Sequence, residues 1–248
     1  MRRLYLVRHG LSESNLSTEV NKRKPDNAIE LAEVGHTQAE KAGRFLREYI
    51  ETEHSKEAQR VRMMVSPYTR TRQTADGLEK SIGQMSTVQY DRRECLQLRE
   101  QSFGLFDGMS PEELMAEYPR ELKHYNKHKE FEGEFFAPMP MGESRARVCD
   151  RVRSSFGPIL RDFQGKDMQP VTDMIVVSHG VTIRCFIREF LHLPWEWCEA
   201  EPNPNNCSVI LIEGEENRGW ELKYIFNGFD HPTGTRHAIQ EHREEGHV

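Results

Sequence analysis

The chain has 248 residues, a formal net charge of −6, 30% charged residues and 36% hydrophobic ones. That length suits one large α/β domain or two small ones with a substantial core, and the negative charge excludes broad nucleic-acid binding by charge. No apolar run approaches the length of a membrane span, and Met1-Arg2-Arg3-Leu4 opens without the apolar stretch of a signal peptide, which implies a cytoplasmic protein that does not engage membranes.

Residues 4–8 read as a buried strand, Leu4-Tyr5-Leu6-Val7 ending on Arg8. Residues 11–34 are polar, with Asn, Ser, Thr, Lys and a single Pro, and read as a loop. From Gly35 the period becomes helical, with Ala39, Ala42, Leu46 and Tyr49 or Ile50 on one face. Val61 to Val65 is a second short strand ending at Ser66-Pro67, and a helix follows over about Tyr68 to Ile82. Residues 87–90 are a candidate third strand.

The segment 109–141 reads as an inserted helical cap; Pro111 with Glu112 and Glu113 marks a helix start, because proline suits the first turn and acids suit its dipole. Glu143 to Phe163 reads as one helix with Val148, Val152, Phe156, Ile159 and Phe163 in a stripe. A strand over 174–178 precedes a helix with Ile183, Phe186, Ile187 and Phe190 on one face. Residues 207–213 and 220–226 are late strands, a candidate hairpin across Gly214 to Gly219. The polar tail 231–248 is expected to be flexible. Strands alternating with helices predict an α/β three-layer sandwich, a mostly parallel sheet flanked by helices. The expected organisation is a single domain over 1–230 with the cap at about 109–141. The five cysteines, Cys95, Cys149, Cys185, Cys198 and Cys207, include no pair three apart. They read as reduced thiols, and a metal site is not expected.

Two sites stand out. Arg8-His9-Gly10 follows the first strand, and His179-Gly180 follows Met174-Ile175-Val176-Val177 and Ser178. In α/β sheets, ligands bind beyond the carboxyl ends of the strands. Arg is a bidentate partner for phosphate and His can act as a nucleophile, so phosphoryl chemistry is indicated. Ser12 and Asn15 in the turn after His9 are suitable phosphate ligands. The competing reading is a strand-end His that caps a loop. In Ser66-Pro67-Tyr68-Thr69-Arg70, Arg70 falls in the first helical turn and can point back over the strand ends, whereas Arg72 reads as solvent-facing. In Leu98-Arg99-Glu100-Gln101-Ser102-Phe103-Gly104 a carboxyl could serve as general acid, or be an ordinary loop acid.

In order along the chain, these segments with Gly142-Glu143-Ser144 and Asp150-Arg151 resemble the histidine phosphatase superfamily, in the branch that includes cofactor-dependent phosphoglycerate mutase. The likeness spans about residues 3–212 and is nearest in flavour to plant and fungal mutase-like phosphatases. It implies a phosphoglycerate mutase-like fold, His9 as nucleophile and Glu100 as proton donor. It implies phosphate held by Arg8, Arg70 and His179, with Asn15 in contact and Gly180 in the same set. It implies a metal-independent phosphomonoester hydrolase with no cofactor, working on a small-molecule substrate through a phosphohistidine. Nearby guanidinium groups should keep His9 neutral. Gly142-Glu143-Ser144 matches a family signature but also reads as the start of the following helix.

Leu11 departs from the family pattern, in which a polar residue stands there, and is expected to alter what the pocket mouth accepts. The mutase's longer insertion looks shortened here, which argues against mutase activity, the second reading. A phosphate-binding scaffold is the third, ranked below because every catalytic residue type is present. Lys22, Arg23 and Lys24 either reach over the pocket to favour anionic substrates or form a solvated basic face. Trp195, Trp197 and Cys198 read as packing, the remaining histidines as surface residues. The natural substrate and the oligomeric state are open.

Overall fold

The computed structural model describes residues 1–53, 59–85, 88–165, 170–215 and 218–230. The tail 231–248 and the turn residues 216–217 of the expected late hairpin lie outside the described residues.

The centre of the fold is a six-stranded sheet in the order β3-β2-β4-β1-β5-β6. The strands are β1 (Arg2–Arg8), β2 (Gln59–Val65), β3 (Val88–Glu94), β4 (Asp173–Ser178), β5 (Val209–Glu215) and β6 (Gly219–Phe226). Strands β1 to β4 pair in parallel, whereas β5 pairs antiparallel with both β1 and β6. The sheet is thus mixed and mostly parallel, and its flanking helices complete the expected three layers.

Why the central strands read as unbroken apolar runs is visible in their neighbours. Leu4 and Leu6 of β1, and Met174 and Val176 of β4, enter one core. Tyr5 and Val7, with Ile175 and Val177, enter the other. Helices α2 (Glu33–Glu53) and α3 (Thr69–Ile82) cover the second core, with Ala39, Ala42, Leu46 and Ile50 facing inward. Ile50 rather than Tyr49 is the fully buried member of the pair. Helices α6 (Arg145–Arg153), α7 (Phe156–Gln164) and α8 (Gly180–Phe190) cover the first. Strands buried on both faces must be apolar throughout. Edge strand β3 is charged, as edges usually are: its Asp91 carboxylate accepts from Arg62 Nε at 2.5 Å and Nη2 at 2.8 Å.

The region 11–34 is more ordered than the expected loop. Ser12 opens a short helix α1 (Glu13–Leu16) through a reciprocal capping box with Asn15, and single 3-10 turns follow at Thr18–Val20 and Asp26–Ala28. The expected helix over 143–163 is two helices, α6 and α7, broken at Ser154-Ser155. Pro158 sits in the first turn of α7, where it has no amide to give to the Ser154 carbonyl, so the chain restarts instead of continuing. The apolar stripe survives the break: Val148, Val152, Ile159 and Phe163 are buried in one core, with Phe156 packed against it. β5 starts later than expected because Cys207 takes a positive φ of 56° and turns the chain before Val209. The segment 109–141 carries α4 (Pro111–Glu117) and α5 (Pro119–Glu132). Ser110 caps α4, accepting from the Glu113 amide at 3.2 Å. Helix α9 (Trp195–Ala200) buries Cys198, with Trp195 and Trp197 against the α6–α8 core, as expected of packing residues.

After β1 the chain departs to the α2/α3 face; after β4 it departs to the α8 face. The two adjacent strands therefore send their continuations to opposite sides, and a crevice opens between their carboxyl ends. Among the described residues, no helix is long and apolar enough to cross a membrane.

Candidate active site

The register of β1 against β4 places Arg8 opposite Ser178. The next residue of each strand is a histidine, so His9 and His179 meet across the crevice with ring centroids 5.3 Å apart. Both are shut off from solvent, at 4% and 0% exposure.

The His9 ring is held in one tautomer. Its Nδ1 lies 2.7 Å from the Gly10 carbonyl oxygen, which can only accept, so Nδ1 carries the proton and Nε2 keeps its lone pair. The turn itself is pinned at each step. Gly10 N donates to Thr74 Oγ1 at 3.0 Å, Leu11 N to Gln38 Oε1 at 2.8 Å, and Asn206 Nδ2 to the His9 carbonyl at 3.0 Å. A Cβ on Gly10 would lie 2.6 Å from the Gly35 carbonyl oxygen, so only glycine lets the start of α2 close over this turn. Burial first, then the positive charges of Arg70 and Arg8, hold the His9 imidazole well below its ordinary value, hence neutral.

His179 Nε2 lies 2.8 Å from the Ser66 hydroxyl, which follows β2. Its Nδ1 is buried and has no hydrogen-bond partner among the described residues. Burial, then Arg70 and His9, push its imidazole down as well. Tyr68 stands edge-on to this ring at 5.1 Å between centroids.

Two arginines complete the crevice. Arg8 Nη1 donates to the Pro204 carbonyl at 2.6 Å, and its Nε is buried without a partner. Burial lowers its guanidinium to about 10. Arg70, 4% exposed in the first turn of α3, gives Nη1 to the Asp26 carbonyl at 2.6 Å and to Asp26 Oδ1 at 2.8 Å. Its guanidinium lies 5.1 Å from the Tyr68 ring centroid.

Glu100 leaves the 3-10 turn Leu96–Leu98 and reaches the N-terminal end of α8. Its Oε1 accepts from Thr182 Oγ1 at 3.1 Å, from Thr182 N at 3.4 Å and from Gln101 N at 2.9 Å. Thr182 lies in the first turn of α8, whose N-cap is His179, so the carboxyl sits on the His179 side of the crevice.

The remaining expected site residues fall differently. Asn15 Oδ1 is turned inward, accepting from Ser12 N at 3.1 Å, Ser12 Oγ at 3.0 Å and Asn206 Nδ2 at 3.4 Å. Ser12 is fully buried and builds this turn instead of facing a ligand. Gly180 has a packing reason: a Cβ there would lie 2.7 Å from Asn203 Cγ. Leu11, expected to alter what the pocket mouth accepts, is buried at 3% exposure, and its backbone lies close against Gly35. Arg72 is exposed and paired with Glu94, as expected of a solvent-facing helix residue.

Lys22 and Lys24 do not offer free charge: Lys22 pairs with Glu19 and Glu113, and Lys24 with Glu13 at 2.7 Å and Glu30 at 3.0 Å. Arg23 is exposed. Replacing Lys22 and Lys24 by glutamine should change KM for a multiply charged phosphate ester by less than about threefold, since exposed pairs couple weakly to a distant ligand. A KM raised tenfold or more would return these cations to the pocket.

Residue types alone did not reveal Ser66, Thr182, Asp26 and Asn206, each of which holds a site residue through a contact distant in sequence. The one signal in reach was position: Ser66 ends a strand beside the two histidines.

The paired histidines carry a stability signature. Both imidazoles sit below their ordinary 6.5, so below that pH the unfolded chain binds protons that the folded chain does not. Stability is therefore fully present above about pH 6.5 and falls as the pH drops, by about 1.4 kcal/mol per pH unit for each such histidine. Urea unfolding midpoints between pH 7.5 and 5.5 should fall more steeply for the native chain than for His179→Gln. Equal slopes would show that His179 takes up its proton equally in the folded and unfolded chains, and so is not held neutral by the fold.

Comparison with known proteins bears on the family and the fold. Residues 4–227 match the family model of the histidine phosphatase superfamily (branch 1). The phosphoglycerate mutase-like protein AT74 of Arabidopsis thaliana is 34% identical over 216 residues, covering 86% of this chain. The chain spans 65% of the length of that relative. The broad-range acid phosphatase DET1 of Saccharomyces cerevisiae is 25% identical, with 87% of this chain and 86% of that protein covered. Among solved structures, a mycobacterial glucosyl-3-phosphoglycerate phosphatase complexed with VO3 shares the fold, with a TM-score of 0.63 at 24% identity over 90% of this chain and 98% of that one.

Proposed function

This chain belongs to the histidine phosphatase superfamily (branch 1), and from that premise we propose that it is a phosphomonoester hydrolase working through a phosphohistidine on His9. The observation that carries the reading is the His9 ring: buried, neutral, and held by the Gly10 carbonyl with the Nε2 lone pair free.

The chemical difficulty in phosphoryl transfer is charge: the ester oxygens repel a nucleophile. Arg8 and Arg70 meet those oxygens with cations already in position, so little reorganisation is required at the moment of transfer. His9 Nε2 attacks phosphorus as the bond to the ester oxygen breaks. Glu100 gives its proton to the departing alkoxide, leaving phosphohistidine and a carboxylate. Water then attacks the same phosphorus; Glu100 takes its proton, phosphate leaves and neutral His9 is restored. His179 Nδ1, unpartnered and buried, supplies a donor to a phosphoryl oxygen while Ser66 holds the other ring nitrogen. Asn15 supports the nucleophile turn, and any phosphate contact it makes comes from its remaining amide nitrogen. No step is assigned to a metal or an organic cofactor.

The reading extends to small phosphomonoesters as substrates and to a reducing, cytoplasmic setting. The latter is supported by five buried cysteines, all free. A mutase, the second reading, is favoured by the name of the Arabidopsis relative. It requires a second anion site for the bisphosphate, and in the basic loop Lys22 and Lys24 are bound to glutamates, which leaves Arg23 alone of the three to meet one. Phosphate release from a panel of phosphomonoesters, with a chelator present and His9→Ala alongside, tests the hydrolase. Isomerisation of phosphoglycerate stimulated by a bisphosphate, without net phosphate release, would replace it by the mutase.

A further inference from the structure

The segment that carries Glu100 has little backbone pairing of its own. After the 3-10 turn Leu96–Leu98, residues 99–103 belong to no helix or strand. A general acid on such a segment needs side chains to hold it, because its proton must meet the leaving oxygen within hydrogen-bond reach.

Those side chains come from the unexplained signature Gly142-Glu143-Ser144 and from α6. Arg151 Nη1 donates to the Gln97 carbonyl at 2.6 Å and Nη2 to the Glu100 carbonyl at 3.0 Å. Glu143 orients that guanidinium, its Oε1 accepting from Arg151 Nε at 2.9 Å and its Oε2 from Nη2 at 3.2 Å. The same carboxylate accepts from the Ser102 amide at 3.0 Å and from Arg99 Nη2 at 2.8 Å. The Glu143 backbone adds two bonds: its amide donates to the Ser102 carbonyl at 2.8 Å, and its carbonyl accepts from Gln101 Nε2 at 2.8 Å. Glu100 is thus tied on both sides, at 97–100 through Arg151 and at 101–102 through Glu143. Ser144 caps α6, accepting from the Arg147 amide at 3.2 Å, and Val148 and Val152 anchor that helix in the core. The clamp is therefore fixed to a rigid element.

We propose that Glu143 is the positioning residue for the proton donor, holding the Glu100 segment directly and through Arg151. The proposal rests on Glu100 being the acid. It explains why a carboxylate is required: both oxygens accept from cations or an amide, and an amide side chain would turn an NH2 toward one of those donors. The two guanidiniums and the Ser102 amide keep Glu143 ionised, below the usual glutamate range despite its burial.

The test compares Glu143→Gln, Glu100→Gln and the double variant on an alkyl phosphate and on p-nitrophenyl phosphate, which needs little help from an acid. A misplaced acid should cost Glu143→Gln about 10- to 100-fold in kcat/KM on the alkyl ester. The loss on the aryl ester should be at least tenfold smaller. On the alkyl ester the double variant should match Glu100→Gln within about twofold, since an absent acid cannot be misplaced. Equal losses on both esters, or losses that multiply in the double variant, would overturn the proposal and leave Glu143 a general structural residue. Arg151→Lys keeps the charge but loses the fork to two carbonyls, and should show the same preference for losing alkyl turnover. It decides the question if Glu143→Gln does not fold. If Glu100→Gln itself does not discriminate between esters, the acid assignment fails and this inference with it. If Glu100→Gln discriminates and neither Glu143→Gln nor Arg151→Lys does, this inference alone falls.

Discussion

The His9→Ala protein should release no phosphate from any ester and retain no label from a phosphate-labelled substrate. The expected loss is at least about 10⁴-fold in kcat, the scale seen when a covalent nucleophile is removed. No neighbour can stand in. The Nε2 of His179, the other imidazole of the crevice, is engaged by Ser66 at 2.8 Å. The fold should survive, because the turn is held by backbone bonds from Gly10, Leu11 and the Asn206 side chain rather than by the imidazole alone. A folded His9→Ala chain with native turnover would remove phosphohistidine chemistry from this protein.

Glu100→Gln should separate substrates by leaving group. On alkyl phosphates, whose alkoxides need a proton as they depart, kcat/KM should fall by about 10²- to 10⁴-fold. On p-nitrophenyl phosphate, whose leaving group is stable unprotonated, the fall should be within about tenfold. The amide still accepts from Thr182 and Gln101 through its oxygen, so the geometry is kept and only the proton is lost. Comparable losses on the two esters would take Glu100 out of the acid role and leave it a ligand of the α8 N-terminus.

The two expectations differ in how far the sequence could reach. Placing His9 and His179 at strand ends required only local signals: apolar runs too continuous for anything but strands buried on both faces, each followed by His-Gly. Arg70 was reachable because helix α3 begins where Ser66-Pro67 ends the strand. For Glu100 the residues left two readings open, and the family resemblance was needed to choose. Glu143 stayed ambiguous because its partners, Arg99, Ser102 and Arg151, lie on both sides of it in sequence and meet only after the segments around α4, α5 and α6 have packed. The helix break at Ser154-Ser155 was missed because an apolar stripe continues across it; Pro158 was the local sign. Leu11 stands out in the sequence only as an apolar residue where the family has a polar one; the tertiary structure shows it buried, with Gly35 close against its backbone.

By itself the sequence determined the alternation of strands and helices, the core faces, and the residue types available for phosphoryl chemistry. These follow from periodicity and side-chain chemistry, which act over a few residues. Only the tertiary structure decided that β4 sits between β1 and β2, bringing the two histidines to 5.3 Å. It alone decided that Gly10 sets the tautomer of His9, that Asp26 holds Arg70, that Ser66 holds His179, and that the two lysines of the basic loop are already paired. Each of these depends on where the folded backbone brings hydrogen-bonding groups and charges together, within a few ångströms of water-excluded space. A hydrogen bond and a buried charge are set by distance and dielectric, and neither is a property of the residues until the chain has closed around them.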